Sequence, residues 1–412
     1  MAEGQTRGRG AEALDADVAE RSLRVRHLVK GLGPGGAERL VVTQVTASRR
    51  SPPVGPTEAV GADRTEGPDA RAVEYDVAYL LAHKNHLVPE LEARDVTTRC
   101  LEATGAWSVG WIVRLRRLLA ADPVDIVHVH SPVLASVTRL LVRSMPRRHR
   151  PVVIGTEHNR WPRHHRLTRW VNRATIGWQD VTIAVSDDVR TTMSRRAAAR
   201  AVVVEHGVDL ERVRASADRE GVRAELGVAD EDILIVCIAN LRREKALEVL
   251  LAAAAEAVGD EPRLRYVLVG QGPLAAALNR QSAASPARDR VDLLGYRADS
   301  TRILSGADIF TLSSRHEGLP VAIMEALALG VPVVATAAGG IPDAIGAGGI
   351  TVPVDDHEAL ATTHVELARD DTHRHRLAEA AADEGDRFSA DRATEAIEQI
   401  YVTALLRDRA PT

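Results

Sequence analysis

Residues 308–336 read DIFTLSSRHEGLPVAIMEALALGVPVVAT, and how this run divides decides the fold. DIFTLSS (308–314) and VPVVAT (331–336) carry the β-branched and apolar residues of buried strands. Between them Pro320 suits the first turn of a helix and Gly330 its end, with Pro332 just beyond. A strand, a short helix and a second strand in that order predict a parallel pair joined by a crossover helix. From Val321 to Leu329 every residue is apolar except Glu325. A carboxylate left unpaired there is strongly disfavoured. Glu325 therefore needs either a protein donor or a ligand rich in hydroxyls, such as a ribose. Glu317 precedes it by eight residues, in a loop whose Gly318 and Leu319 N–H groups point toward any bound ligand. Eight residues is no facing interval within one helix, but a loop followed by a helix can set both carboxylates along one extended ligand.

The same alternation runs through the chain. LRVRHLV (23–29), YDVAYLL (75–81), DIVHVH (125–130), PVVIGTEH (151–158), VTIAVS (181–186) and AVVVEHGV (201–208) read as strands. So do ILIVCIA (233–239), LRYVLVG (264–270) and RVDLLG (290–295), with helical patterns between most of them. This predicts an α/β protein of doubly wound parallel sheets with helices on both faces. Eleven strands exceed one sheet of ordinary width, and 412 residues exceed the roughly 250–300 at which a single core stops growing. Residues 1–22 read as a frayed polar tail, and 23–208 as a first domain with a flexible, Pro- and Gly-rich insertion at 48–72. The charged run 209–229 reads as an interdomain connection, 230–390 as a second domain, and 391–412 as a helix and tail that could dock on either.

The net charge of −4 gives no overall attraction to nucleic acid, which is not expected as a partner. Two cysteines, Cys100 and Cys237, exclude a disulfide framework and read as buried free thiols of a reducing compartment. No signal-peptide pattern opens the chain, and no apolar run approaches the ~20 residues of a membrane span. The expectation is a cytoplasmic protein, with peripheral contact at the inner face of the membrane left open. Lys30, Lys84 and Lys245 are the three lysines among 53 lysines and arginines, so each is worth locating.

Ligands of open parallel sheets sit outside the carboxyl ends of the strands, so the residues after each strand are the candidates. KGLGPGGAERL (30–40) opens a helix near Ala37. Its glycines, Gly35 and Gly36 among them, make either a plain tight turn or a loop whose N–H groups face a phosphate or sugar. CIANLRREKA (237–246) bunches Arg242, Arg243 and Lys245, as a solvated basic turn or as a seat for a diphosphate. VLVGQGPL (267–274) leaves Gly270 and Gly272 without side chains, where a flat or charged ligand could enter. His130 of HVHSP can serve structure or touch an acceptor, and Ser186 and Asp187 read as a helix cap. HNRWPRHHRLTRWVNRATIGW (158–178), with Arg163 and Arg166, reads either as a solvated amphipathic helix or as a seat for anionic headgroups.

Together these residues resemble the large retaining family of nucleotide-sugar glycosyltransferases of the GT-B fold, family 4. EGLPVAIMEALALGVPVVAT (317–336) carries that family's E-x7-E pattern as Glu317 and Glu325. GPGGAERL, DIVHVHSP, IAVSDDV, EHGVD, NLRREKA, VGQGPL, LLGYRADSTRILSGADIFTLSSRHEG and TAAGGIPDAI fall in the family's order across roughly 23–390, the 48–72 insertion excepted. The resemblance implies two Rossmann-like domains facing across a cleft, with the nucleotide-sugar held mainly by the C-terminal one. It implies that Glu325 bonds the ribose hydroxyls and that Glu317 touches the donor sugar near the reacting centre. Lys245, assisted by an arginine, is implied to neutralise the diphosphate, and the amides around Gly318, Leu319 and Gly35–Gly36 to complete the anion cradle. His158 is implied to face the donor sugar. Three positions depart from the pattern. Asn240 stands for the usual arginine, so Arg242 is preferred to Arg243 as the source of that charge; Ala246 replaces a glycine and His206 an asparagine.

The chemistry so implied moves a sugar from a nucleotide-sugar to a hydroxyl of a glycan, a lipid-linked or a small-molecule acceptor, with retention of configuration. Breaking the glycosyl–phosphate bond leaves negative charge on the diphosphate, which cations and N–H groups stabilise. The Asp-x-Asp pairs that could hold a metal, Asp15/Asp17 and Asp230/Asp232, lie in the tail and the connecting turn, so no metal or other cofactor is expected. No residue is an obvious covalent nucleophile, which favours front-face attack with the leaving phosphate as base. Two other readings stand beside this one. A degenerate binding or scaffold protein would not need Glu317, Glu325 and Lys245, and another GT-B enzyme such as a nucleotide-sugar epimerase would need no acceptor.

Overall fold

The structure, a computed structural model, describes residues 22–33, 35–50, 72–103, 109–163 and 165–409. The expected tail through residue 21, including Asp15 and Asp17, and residues 51–71 of the expected insertion lie outside them. Thirteen strands among the described residues form two sheets, parallel throughout. The first sheet runs β1 (Leu23–Val29), β2 (Val73–Tyr79), β3 (Thr97–Cys100), β4 (Ile126–Val129), β5 (Val152–Glu157), β6 (Val181–Ala184) and β7 (Ala201–Val203) in chain order, and 3-2-1-4-5-6-7 in space. The second runs β8 (Ile233–Ile238), β9 (Leu264–Val269), β10 (Val291–Gly295), β11 (Ile309–Leu312), β12 (Val333–Thr336) and β13 (Gly349–Val352), ordered 10-9-8-11-12-13. Both are doubly wound and Rossmann-like, as expected. The eleven predicted strands are all present. β3, reading TTRC, and β13, reading GITV, are edge strands without the apolar run that marks a buried one, which is why the pattern did not show them.

The chain forms two compact units, one comprising residues up to Val185, Arg190–Val204 and Asp391–Thr412, the other Ser186–Val189 and Glu205–Ala390. In the first, α1 (Gly36–Ser48) and α2 (Val88–Glu92) pack Val41, Val45 and Leu91 against Val29 and Val77 of the sheet. α3 (Gly110–Ala121) and α4 (Pro132–Ser144) pack Leu115 and Leu134 against Leu28, Val127 and Val153. Neighbours Leu28 and Val29 thus serve opposite faces, as the strand period requires. α5 (Arg166–Thr175) follows β5.

The expected connection at 209–229 is part of the second unit instead. It forms α6 (Leu210–Ala215) and α7 (Arg219–Glu225), capped by Asp209 and Asp218, and buries Val213, Val222 and Val228 in that unit's core. Each short helix needs only one buried valine, so polar composition hid them. Asp232 is likewise engaged there, accepting from Arg290 at 2.8 Å. α8 (Leu247–Asp260) and α9 (Val321–Ala328) flank the second sheet.

α10 (Ala390–Arg409) returns to the first unit, settling the choice that composition left open. Ile397, Tyr401, Ala404 and Leu405 form a helical stripe packed on Leu23, Val25, Ile126 and Ile154. Gln44 donates to the Tyr401 hydroxyl at 3.0 Å, and Tyr75 donates to Glu398 at 2.8 Å. Within the second unit the two segments that lead to the first lie side by side. Val208 pairs with Ser389, and a Cβ on Gly207 would run into the Ser389 backbone.

Candidate active site

The order of the second sheet reverses between β8 and β11, the place where ligands of such sheets bind. Two loops leave it there. After β8, Arg243–Lys245 form one turn of 3₁₀ helix, and Ala246 turns the chain into α8 with φ 47°, the left-handed region that favours glycine. The sequence departure at 246 therefore falls where a side chain is strained. After β11, Ser313 donates to the carbonyls of Lys245 and Ala246, both at 3.0 Å, tying the loops together. Lys245 then donates to Glu317 Oε1, and Ser314 donates to the same oxygen at 2.6 Å. The lysine and carboxylate singled out by the sequence are thus brought into one ion pair, 19% and 10% exposed.

The loop carrying Glu317 is braced from β12. Thr336 donates to the Ser314 carbonyl at 2.5 Å. Gly339, at φ 61°, lies so close that a Cβ would collide with the Glu317 carbonyl, and one on Gly340 with that of Gly318. Gly318 and Leu319 lead to Pro320, which caps α9 rather than opening its first turn. Gly330, with φ 67°, ends it: Gly330 N–H donates to Leu327 O and Val331 N–H to Ala326 O, the Schellman pattern. Glu325 lies in the second turn, half-buried, and accepts from Thr301 Oγ1 at a long 3.4 Å.

Arg242 and Arg243 are exposed, and among the described residues neither side chain is hydrogen-bonded or ion-paired. Gly270 and Gly272 have a different explanation from the one expected. A Cβ on Gly270 would meet the Ala239 carbonyl and one on Gly272 that of Leu241, so protein backbone fills the space left by the missing side chains. Leu241 N–H donates to Gln271 O at 3.0 Å, which fixes the Arg242 loop against them.

In the first unit, the carboxyl ends of β1, β4 and β5 carry a chain of histidines. His27 Nδ1 lies 2.8 Å from His130 Nε2, and His130 Nδ1 lies 3.1 Å from His158 Nε2. His27 is fully buried, its Nε2 has no partner, and burial pushes it down to about 3, so it is neutral. Leaving a lone pair at Nε2 costs less than leaving an N–H there, so His27 donates from Nδ1. His130 then accepts at Nε2 and donates from Nδ1, which sets His158 as the Nδ1–H tautomer. His130 is thus hydrogen-bonded through both ring nitrogens. His27, His128 and His130 are also the one group among the described residues close enough to share a metal ion. Every ring nitrogen of His128 and His130 is already hydrogen-bonded to Tyr401, Thr156 or another histidine.

Glu157, the residue before His158, is held by a buried polar network. Asn172 donates to it at 2.9 Å, and Arg139 donates to Asn172, Thr175 and Gln179 at 2.7–3.0 Å. Burial raises the Glu157 carboxyl and lowers Arg139 to about 10. Gly35 caps α1, with Gly36 as its first residue. Arg166 opens α5 and is exposed, while the side chain of Arg163 lies outside the described ones. His27, Thr301, Ser314 and Gly339 were not foreseen. Only the paired glycines of TAAGGIP could have signalled a close backbone approach.

The two halves of the chain match two family descriptions: "Glycosyl transferases group 1" over residues 232–370 and "Glycosyltransferase Family 4" over residues 59–212. The chain is 25% identical over 303 residues to N-acetyl-alpha-D-glucosaminyl L-malate synthase of Bacillus anthracis, covering 72% of this chain and 79% of that one. It is 28% identical over 303 residues to alpha-D-kanosaminyltransferase of Streptomyces kanamyceticus, covering 68% and 78%. Its fold is similar to that of Anabaena HepE solved with UDP-glucose, with a TM-score of 0.75, 19% identity, and 92% of this chain and 100% of that chain covered.

Proposed function

This chain belongs to the group 1, family 4 glycosyltransferases of the GT-B fold, and from that premise we propose that it transfers a sugar from a nucleoside diphosphate to an acceptor hydroxyl, with retention of configuration and without a metal ion. The observation that carries the reading is the meeting of Lys245 and Glu317 at the switch point of the second sheet. Lys245, with Arg242, binds the diphosphate and takes up its growing negative charge as the glycosyl bond breaks. The N–H groups of Gly318 and Leu319 add donors to the same oxygens. Glu325 bonds the ribose in place of its long contact with Thr301. Glu317, released from Lys245, faces the sugar as positive charge develops on it. Attack comes from the acceptor hydroxyl on the leaving-group face, its proton passing to the departing phosphate. The structure of HepE with UDP-glucose supports a nucleotide-sugar donor. We assign His158 and the Gly35–Gly36 amides to the donor as well, as the resemblance implies.

The acceptor belongs to glycan, glycolipid or exopolysaccharide synthesis. A lipid-linked acceptor and peripheral membrane contact are favoured by α5, where Leu167 and Trp170 are 60% and 68% exposed beside Arg166. No helix among the described residues is long and apolar enough to cross a membrane. Retention at anionic vesicles that is undiminished by Arg163→Gln/Arg166→Gln would remove that assignment.

Thermal-shift screening against UDP, GDP, ADP and their sugars tests the reading directly, since a ligand of the folded state raises apparent stability. One nucleotide class should stabilise the protein, and its sugar should be turned over in EDTA to a product of unchanged anomeric configuration. A panel without any shift would sink the proposal. Isomerised donor without transfer would favour the epimerase reading.

A further inference from the structure

The first unit has a concave site at the opposite end of its sheet from the carboxyl ends that carry His130 and His158. A cavity of about 640 Å³ opens beside the start of β6, and among its lining residues are Arg173, Arg195, Arg196, Arg200, Gln179 and Asp180. Arg173 lies in the last turn of α5, and the other three arginines lie in or just after a short helix at Arg195–Ala198. All four are exposed, and none is hydrogen-bonded or ion-paired through its side chain to another described residue. This sets them apart from Arg26, Arg139, Arg223 and Arg302, whose guanidiniums are all engaged. Asp180 is the cavity's one carboxylate, and its Oδ2 already accepts from the Val153 N–H at 2.7 Å.

Four like charges around one concavity repel, and the arrangement is relieved by an anion. Guanidinium forks match the paired oxygens of a phosphate better than those of a chloride. We propose that this cavity binds a phosphate group, as a site separate from the one that takes the donor diphosphate. Trp178, the chain neighbour of lining residue Gly177, is exposed. The phosphate can therefore come from a soluble molecule or from a lipid headgroup, and both arms are tested.

Inorganic phosphate is titrated calorimetrically, at constant ionic strength, into the wild type, Arg195→Gln/Arg196→Gln and Lys245→Met. Phosphate affinity should fall at least tenfold in the arginine variant and persist in Lys245→Met. Donor hydrolysis should be unchanged in the arginine variant, a result that holds or fails apart from the donor-site reading. Loss confined to Lys245→Met would place the phosphate in the donor site and overturn the proposal, as would equal binding by all three proteins. Cosedimentation with phosphatidylcholine vesicles, with and without phosphatidylglycerol, assigns the source. Retention that depends on phosphatidylglycerol and is lost in the arginine variant makes it a lipid headgroup; phosphate binding without such retention makes it a soluble ligand.

Discussion

Replacing Glu317 by Gln should strengthen nucleoside diphosphate binding while nearly abolishing transfer. Lys245 donates to Glu317, and both side chains are largely but not wholly buried. Two unit charges ~4 Å apart attract by about 4 kcal/mol at an effective dielectric of ~20. Desolvation and ordering cancel most of this, leaving about 1 kcal/mol for a partly exposed pair. A diphosphate must loosen that pair to engage the ammonium. Glu317→Gln keeps the shape and removes the competing charge, so UDP, or whichever diphosphate the screen selects, should bind about fivefold more tightly. Transfer should fall by about 10²–10³-fold, because the charge facing the sugar in the transition state is gone. Lys245→Met should weaken the diphosphate by about tenfold or more, the worth of a charge-assisted bond. In the double variant the gain from Glu317→Gln should vanish, since no ammonium remains to be released. Calorimetry and single-turnover rates supply all the quantities. Weaker diphosphate binding by Glu317→Gln would make the carboxylate a nucleotide ligand and refute the division of labour between the two residues.

Gly339→Ala should leave the fold intact by far-UV circular dichroism yet cut turnover by about 10²-fold, since its Cβ must displace the Glu317 carbonyl and small shifts of a reacting group are costly; turnover near that of the wild type would show that the brace does not position the loop. His27→Phe removes the donor that orders the histidine chain, so ¹⁵N spectra of labelled histidine should show His158 shifting from the Nδ1–H toward the Nε2–H tautomer, and an unchanged tautomer would dissolve the chain. His364, buried between Tyr266 and Thr311, is held down to about 3 against an ordinary 6.5. Between those values the unfolded chain binds a proton that the folded one does not, so stability is lost as pH falls below 6.5, by up to about 1.4 kcal/mol per unit. His27 and His206, also held down by burial, add slopes of their own, so urea unfolding followed from pH 7 to 5 should show a slope that His364→Gln reduces by the share of one histidine.

The stretch 308–336 was legible because local signals agreed: two apolar strands, Pro320, Gly330 and a lone carboxylate on an apolar helix. Glu317, Lys245 and Glu325 could be singled out for the same reason, each standing where its neighbours do not explain it. Their supports could not. Ser314 meets Glu317 locally, but Thr301 reaches Glu325 across 24 positions and His27 reaches His130 across 103, contacts that no periodicity encodes. The 209–229 segment misled through composition, since single valines in α6 and α7 suffice to anchor them. Gly270 and Gly272 were read as leaving room for a ligand, but protein backbone occupies that room.

The route of α10 has a consequence for how the protein is made. Tyr401, fully buried, closes the floor of the sheet that begins at Leu23, so the domain begun first during synthesis is completed last. While residues 205–390 emerge and fold, that sheet waits with an uncovered apolar surface, a natural customer for chaperones. A nascent chain halted near position 390 should hold a finished second half and an unfinished first.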